Sequence, residues 1–313
     1  MLSRRNVRIK VMQMLYTLSR DQELKYEGAL KQYRKIVFLS FELYLFNLLL
    51  LIRVAEYANK DLEKRKAKLR PSEDDKRFTA KLAENPLIAS LIHNDAFNSL
   101  IRGHKLPSRI DEDQIRGFYM DFSKTDQYKA YLKQVDSQDS DHKDILLGLF
   151  KHCLNNEAFT EVLDDNYPLW IDDKSLVVGA IKKTLKALPV TSEEFYQNYQ
   201  PSDEAVKEFG ELLLHKVYHE DSELLELIEP TLKNWDADRV AAIDMILLKM
   251  ALCELMNFPT IPTKVTLNEF VEIAKLYSTE KSKDFINGIL DRLMKKLNKD
   301  GKINKEGRGL LEN

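Results

Sequence analysis

The sequence predicts an all-α protein: an antiparallel helical bundle carrying an inserted helical region. Three observations predict it. Glycine is scarce, 10 among 313 residues. Strict apolar–polar alternation, the pattern of a half-buried strand, is nearly absent. Apolar residues recur instead at three- and four-residue spacing, the period of a helix with one buried face. Hydrophobic residues make up 44% of the chain, enough for a substantial core. The two cysteines, Cys153 and Cys253, lie far apart, which argues against a disulfide framework and a cysteine-built zinc site. A formal net charge of −2 leaves nucleic-acid binding to local basic patches. No apolar core with a small-residue cleavage site follows the basic start, so the cytoplasm is the expected location.

Taken in order, residues 1–20 form a first helix with a basic arm. Arg4, Arg5, Arg8 and Lys10 precede any acidic residue, and Val7, Val11, Met14, Leu15 and Leu18 make its apolar stripe. On charge alone, such a run reads as a solvated helix start or as a set of phosphate contacts. Residues 21–200 comprise a long helix followed by shorter ones. Between Ile36 and Ile52 only Ser40, Glu42 and Asn47 are polar. That stretch is just long enough to span a membrane. The central acid and the unbroken charged continuation to Arg70 favour a buried helix of a soluble protein. Pro71 stops it, and further helices are expected at 75–83, 86–102, 111–119, 124–135, 141–154, 155–164 and 173–188, separated by Gly, Pro and Ser/Asp breaks.

Residues 201–297 form a cleaner bundle. Ser202, Asp221 and Asp236 are its expected helix caps, with Trp235 on the apolar face of the second helix. Two helices within 261–297 close it. Pro262 and Thr263 start the first, and Ser278 or Thr279 caps the second, where Phe285, Ile286, Ile289, Leu290, Leu293 and Leu297 form a stripe. The basic, glycine-containing tail 298–313 is expected to be disordered. No Gly-rich phosphate loop, G-x-S-x-G or H-E-x-x-H occurs, so neither catalysis nor a cofactor is expected. His215 and His219 are spaced i, i+4 but lack a third ligand; they and the scattered His93, His104, His142 and His152 are read as structural.

Residue identities in the closing helices say more. Ile261, Pro262, Val265, Leu267, Asn268, Glu269, Val271, Glu272, Ile273, Ala274 and Lys275, followed by Ser282, Phe285, Ile286, Asn287, Gly288, Ile289, Leu290 and Asp291, resemble the C-terminal signature of the NusB family of transcription antitermination factors. Ser278 stands where many relatives carry Gly. The start RRNVRIKVMQMLYTL resembles the Arg-rich first helix of that family, Leu15 and Tyr16 matching its "aLY" segment, though Asn6 and Ile9 interrupt the basic run. Residues 238–256 resemble its central helix, with Cys253 in place of a Tyr and Glu254 and Leu255 retained. The likeness covers about residues 1–20 and 202–297; most of the intervening chain is extra.

The resemblance implies a module that binds boxA-type single-stranded nascent RNA as a heterodimer with NusE, the small-subunit ribosomal protein. It does so within the RNA polymerase elongation complex and its other Nus factors, above all on ribosomal RNA operons. It implies phosphate contacts from Arg4, Arg5, Arg8 and Lys10, and base stacking on Tyr16. Lys281 and Lys283 would add phosphate contacts, and Glu254 would face the protein partner. Phe285 is open between a core position and one at the RNA and partner surface. Asn287 and Gly288 are read as structural, the small residue allowing close helix approach, and Asn268 and Glu269 as ties for the preceding turn. The family contains monomers and homodimers, which leaves self-association open. Related domains also precede ribosomal RNA cytosine methyltransferases, but no catalytic glycine loop is present in this chain. The alternative function is a helical protein-interaction scaffold, worked mainly by the insertion, with weak RNA binding.

Overall fold

The computed structural model describes residues 2–232 and 239–310, among which all regular structure is helical. Helix α1 spans Arg4–Arg20 and α2 spans Tyr26–Lys66. The chain divides into two compact units. One holds Leu2–Val37 with the residues from Pro201 onward, and the other holds Phe38–Gln200. The inserted unit thus begins within α2, not at residue 21. Residues 21–37 side with the bundle for a physical reason. Arg34 makes a two-point ion pair with Glu211, at 2.8 and 2.7 Å, and the Tyr33 hydroxyl donates to the Val206 carbonyl at 3.2 Å.

The second part of α2 is the core of the inserted unit. Residues 41–52 are buried on every side, which is where a helix apolar all round has to sit. Among the described residues α2 is the one helix long and apolar enough to cross a membrane, and 78% of that apolar window is enclosed by protein. Three of its polar side chains have partners in neighbouring helices and loops. Ser40 donates to Asp173 at 2.7 Å, Tyr44 shares a 2.7 Å hydrogen bond with Thr184, and Glu42 accepts from Arg109 at 2.8 Å and from Tyr167 at 3.2 Å.

Around it run α3 (Glu73–Arg77), α4 (Pro86–Ile92), α5 (Asp95–Gly103), α6 (Glu112–Ser123), α7 (Asp126–Lys133), α8 (Asp139–Leu154), α9 (Glu157–Asn166) and α10 (Trp170–Lys186). Two expectations are corrected. The helix predicted at 75–83 ends at Arg77, where Phe78 turns the backbone extended. The helix predicted at 86–102 is two, because the Asn94 side chain accepts from the Phe97 N–H at 2.8 Å and starts a new helix.

In the bundle, a π-helical segment Glu204–Glu211 continues into α11 (Leu212–His219), followed by α12 (Asp221–Ile228) and α13 (Ala242–Asn257). Helices α14 (Thr263–Tyr277) and α15 (Ser282–Lys299) close it. Ser202 caps as expected, accepting from the Ala205 N–H at 3.2 Å, whereas Asp221 is the first residue of α12, not its cap. Asp236 and Trp235 lie outside the described residues. Helix α13 is enclosed from Ile246 to Leu255 and forms the axis of the bundle. Gly210 is required where the π-helical segment meets α1 and α2: a Cβ there would lie 1.8 Å from the Tyr33 hydroxyl and 2.6 Å from a Val7 methyl. The tail departs from the expected disorder. Through Leu310 it runs back onto the α13–α14 loop, where the Glu306 N–H donates to the Pro259 carbonyl at 3.0 Å and Lys305 donates to the Phe258 carbonyl at 3.1 Å.

Candidate nucleic-acid interface

The N-terminal half of α1 lies along the C-terminal half of α13, and one arginine joins them. Arg8 is buried and holds Glu254 through two parallel hydrogen bonds, both 2.7 Å. This fork-to-carboxylate geometry is specific to a guanidinium. Glu254 also accepts from the Thr266 hydroxyl at 2.8 Å, and Glu269 of α14 approaches Arg8 to 3.7 Å. The rings of Phe209 and Phe270 lie 5.1 and 5.7 Å from the Arg8 guanidinium carbon, completing an aromatic enclosure.

Burial corrects three expectations, two of them inside that enclosure. Arg8, 2% exposed, presents no surface to a phosphate, and Lys10, 1% exposed, presents none either. Glu254 is wholly buried and faces Arg8 and Thr266, not a partner protein. A carboxylate inside an otherwise apolar helix has to be paired. Glu254 within ALCELM and Arg8 within α1 were therefore each other's partners by the logic of burial.

Arg4 and Arg5 remain at the surface. Arg5 makes a two-point pair with Glu269, at 2.8 and 2.7 Å, and this hydrogen bonding raises its pKa further. Arg4 reaches Glu204 at 3.0 Å and lies over Phe209. The Arg4–Glu204 pair is solvated, and such pairs contribute about 0–1 kcal/mol, whereas Glu269, 20% exposed, is the more enclosed partner of Arg5. A phosphate can exchange for Glu204 at small cost. Glu269 therefore works as the counter-ion of the arginines, a role its place beside Asn268 in the signature did not convey.

The remaining candidates gather at the opposite end of α13. Leu15, Leu18 and Ser19 of α1 line a cleft of about 560 Å³ with Met245, Ile246 and Lys249, which places the C-terminal half of α1 by the start of α13. Tyr16 is exposed there, with the Arg20 guanidinium 5.3 Å from its ring centre. Asp244, buried in the first turn of α13, accepts from Ser278 at 2.6 Å and from Ser282 at 2.7 Å. The two hydroxyls lie 2.9 Å apart, and Thr279 joins Ser282 at 2.8 Å. This net fixes the α14–α15 turn and gives the serine at 278 a use of its own. Nothing in the sequence marked Asp244 beyond its being a lone acid ahead of an apolar run.

Lys281 and Lys283 stand exposed on that fixed turn, and neither forms an ion pair among the described residues. Phe285 is half-buried, between the two readings of it. Asn287 is exposed, and a Cβ on Gly288 would meet only Arg292 at 3.9 Å. The two are therefore not a close-packing device. They extend the exposed face that starts at Lys283. From Asp244 to Glu254 is ten residues, about 15 Å of helix. The candidate cations thus form two groups along α13: Arg4 and Arg5 at one end, Lys281 and Lys283 at the other, with Tyr16 also toward the latter.

The other candidate chemistry is unpromising. The rings of His215 and His219 lie 4.4 Å apart at a 53° tilt and pack with Tyr26 and Tyr218. Among the described residues no group of three metal-ligating side chains occurs. Burial pushes the thiols of Cys153 and Cys253 up to about 12, so both are unreactive at neutral pH.

The sequence has counterparts in known proteins. A family model described as the NusB family matches residues 176–295, which includes α13, α14 and most of α15. Transcription antitermination protein NusB of Salinibacter ruber is 42% identical over 109 residues, 35% of this chain and 68% of that protein. The protein of the same name from Finegoldia magna is 41% identical over 106 residues, 33% of this chain and 75% of that protein. That of Chloroherpeton thalassium is 36% identical over 111 residues, covering 36% and 53%. No solved structure matches. With two relatives above 40% identity over two thirds or more of their own length, the chain belongs to the NusB family.

Proposed function

We propose that this protein is a non-enzymatic transcription antitermination factor of the cytoplasm. In this reading it binds boxA-type single-stranded RNA together with NusE, and it acts on the RNA polymerase elongation complex with other Nus factors during ribosomal RNA transcription. The observation that carries the reading is the identity to two transcription antitermination proteins over most of their length. The surface supports it. Arg4 offers phosphates a guanidinium held by a solvated carboxylate, and Arg5 an exposed one that Glu269 holds at two points. Lys281 and Lys283 sit on a turn fixed by Asp244, beside the half-buried ring of Phe285 and the open backbone at Gly288. Tyr16 supplies an exposed ring for a base, a contact that contributes about 1–3 kcal/mol.

A second reading, an interaction scaffold with weak RNA binding, is favoured by one finding: burial of Arg8 and Lys10 reduces the surface cluster on α1 to Arg4 and Arg5. Fluorescence anisotropy of a boxA-like RNA, with and without NusE and across a salt series, separates the two. The antitermination reading expects preference over a scrambled RNA, enhancement by NusE, and a log–log salt slope that falls by roughly 0.7 per lost phosphate contact in an Arg4→Ala/Arg5→Ala variant. Equal, weak binding of both RNAs with no NusE effect leaves the scaffold.

A further inference from the structure

The inserted unit carries a basic cleft of its own, about 550 Å³ in volume. Arg65 from the end of α2, Arg77 and Phe78 from α3 and its exit, and Lys129 and Lys133 of α7 line it, and Asp74 is the carboxylate among its lining residues. Arg65 is already committed. It bonds Asp61 at 3.0 Å and Asp75 at 3.2 Å, and its guanidinium carbon lies 4.3 Å from the centre of the Phe78 ring. Asp75 is in turn held by Lys68 at 2.8 Å and by the Ser72 cap. One wall is therefore rigid and carries an aromatic ring braced on one face.

The other cations are uncommitted. Arg77, Lys129 and Lys133 are exposed, and none forms an ion pair among the described residues. Lys129 and Lys133, spaced i, i+4, share one face of α7, about 6 Å apart at their Cβ atoms. Three unpaired cations against one carboxylate leave an excess of two positive charges. Like charges at this spacing repel and weaken the free helix, and an anion relieves the repulsion. The volume lies within the roughly 300–1,000 Å³ of ligand sites, well beyond what one phosphate fills. The Phe78 ring, partly buried against the core of the unit, adds what a bare anion does not use: a flat apolar surface of the kind on which bases stack.

We propose that this cleft is a second single-stranded RNA site, in which Arg77, Lys129 and Lys133 take backbone phosphates and a base lies against Phe78. The inference rests on the RNA-binding reading above. It gives the insertion a role in that reading: to hold RNA flanking the segment bound at the bundle.

The test uses the full chain in three forms: natural, Arg77→Gln/Lys129→Gln/Lys133→Gln, and Arg4→Gln/Arg5→Gln. Each is titrated against a fluorescein-labelled oligouridine and a boxA-like RNA over a salt series. The cleft variant should bind oligouridine about tenfold more weakly, with a salt slope smaller by roughly 0.7 for each phosphate contact removed. A 4-thiouridine version should crosslink near Phe78 in the natural chain. All three substituted residues are exposed, and a circular-dichroism melt checks that the variant remains folded. If the cleft variant keeps the natural affinity and slope while the arm variant loses both, the cleft is not an RNA site and the antitermination reading stands. If the natural chain binds neither RNA, both fall. Binding of inorganic polyphosphate or anionic vesicles without crosslinking to 4-thiouridine RNA overturns RNA as the occupant.

Discussion

The bundle and the inserted unit each bury a carboxylate on a core helix, and they satisfy it differently. Glu254 meets Arg8 in a closed chamber, two-point and enclosed by Phe209 and Phe270, the partners standing 246 positions apart in the chain. Glu42 meets Arg109 through one nitrogen at 2.8 Å, with Tyr167 beside it and His104 at 3.8 Å, and Arg109 is itself 34% exposed. The first pair ties the start of the chain to its end across the whole insertion. The second opens toward water. A closed pair demands both partners; an open one tolerates loss because solvent can replace the missing partner.

The largest expected effect follows from that contrast. Glu254→Ala leaves a guanidinium buried without a counter-ion, and breaking such a pair costs about 3–5 kcal/mol. Glu42→Ala should cost less, about 1–3 kcal/mol, because Arg109 can turn to water and the main loss is the acceptor of Tyr167. Hydrogen exchange followed by mass spectrometry reads each unit separately. Glu254→Ala should strip protection from α1, α13 and α14, and Glu42→Ala should act on α2 and its neighbours beyond Phe38. Equal losses in the two variants would dissolve the distinction.

The two units also differ in how much could be read before the structure. In the bundle, the closing helices were legible, α14 to its first residue, because their apolar spacing and their family signature agree; the cap expected at Ser278 or Thr279 was not found, since α15 starts at Ser282 and those hydroxyls bond Asp244 and Ser282 instead. The same signature misled about charge. It grouped Arg8 and Lys10 with Arg4 and Arg5, although successive residues on a helix point about 100° apart and only some of them can face water. It offered Glu254 as a surface residue, whereas the apolar run around it already required burial. In the insertion, the all-helical class and most breaks were legible. The division at Asn94 was not, since an asparagine cap inside a periodic apolar pattern resembles an ordinary polar position. The boundary within α2 was also hidden, because a helix carries no sequence mark where its neighbours change.

A smaller effect sharpens the same point on a single helix. Arg5 and Arg8 lie one turn apart on α1 and both make two-point carboxylate pairs, yet Arg5 is exposed. Arg5→Ala should therefore change bundle stability by no more than about 1 kcal/mol in urea titration. Arg8→Ala should approach the Glu254→Ala loss. Comparable losses at the two positions would mean that burial of the guanidinium is not what decides the cost.

The smallest expected effect is a pH dependence confined to the inserted unit. His142 receives or donates a 2.7 Å hydrogen bond at Nδ1 with the Tyr131 hydroxyl, next to Lys81, which donates to the Tyr131 carbonyl at 2.7 Å. Burial first, and then the Lys81 charge, lower the His142 pKa below its ordinary 6.5. The folded unit therefore favours the neutral ring, while the unfolded chain binds a proton at the ordinary value. Above that value both states are neutral and stability is at its plateau. As pH falls below 6.5 the unfolded state takes up the proton first, and stability declines until pH passes the lowered folded value. Hydrogen exchange in α7 and α8 should thus quicken between neutral and mildly acidic pH, after correction for the intrinsic exchange rate. His142→Gln, which keeps a polar side chain without a titrating proton, should flatten that dependence in α7 and α8 and leave the bundle unchanged. An unchanged pH slope in the variant would assign the loss to other groups and remove His142 from the account.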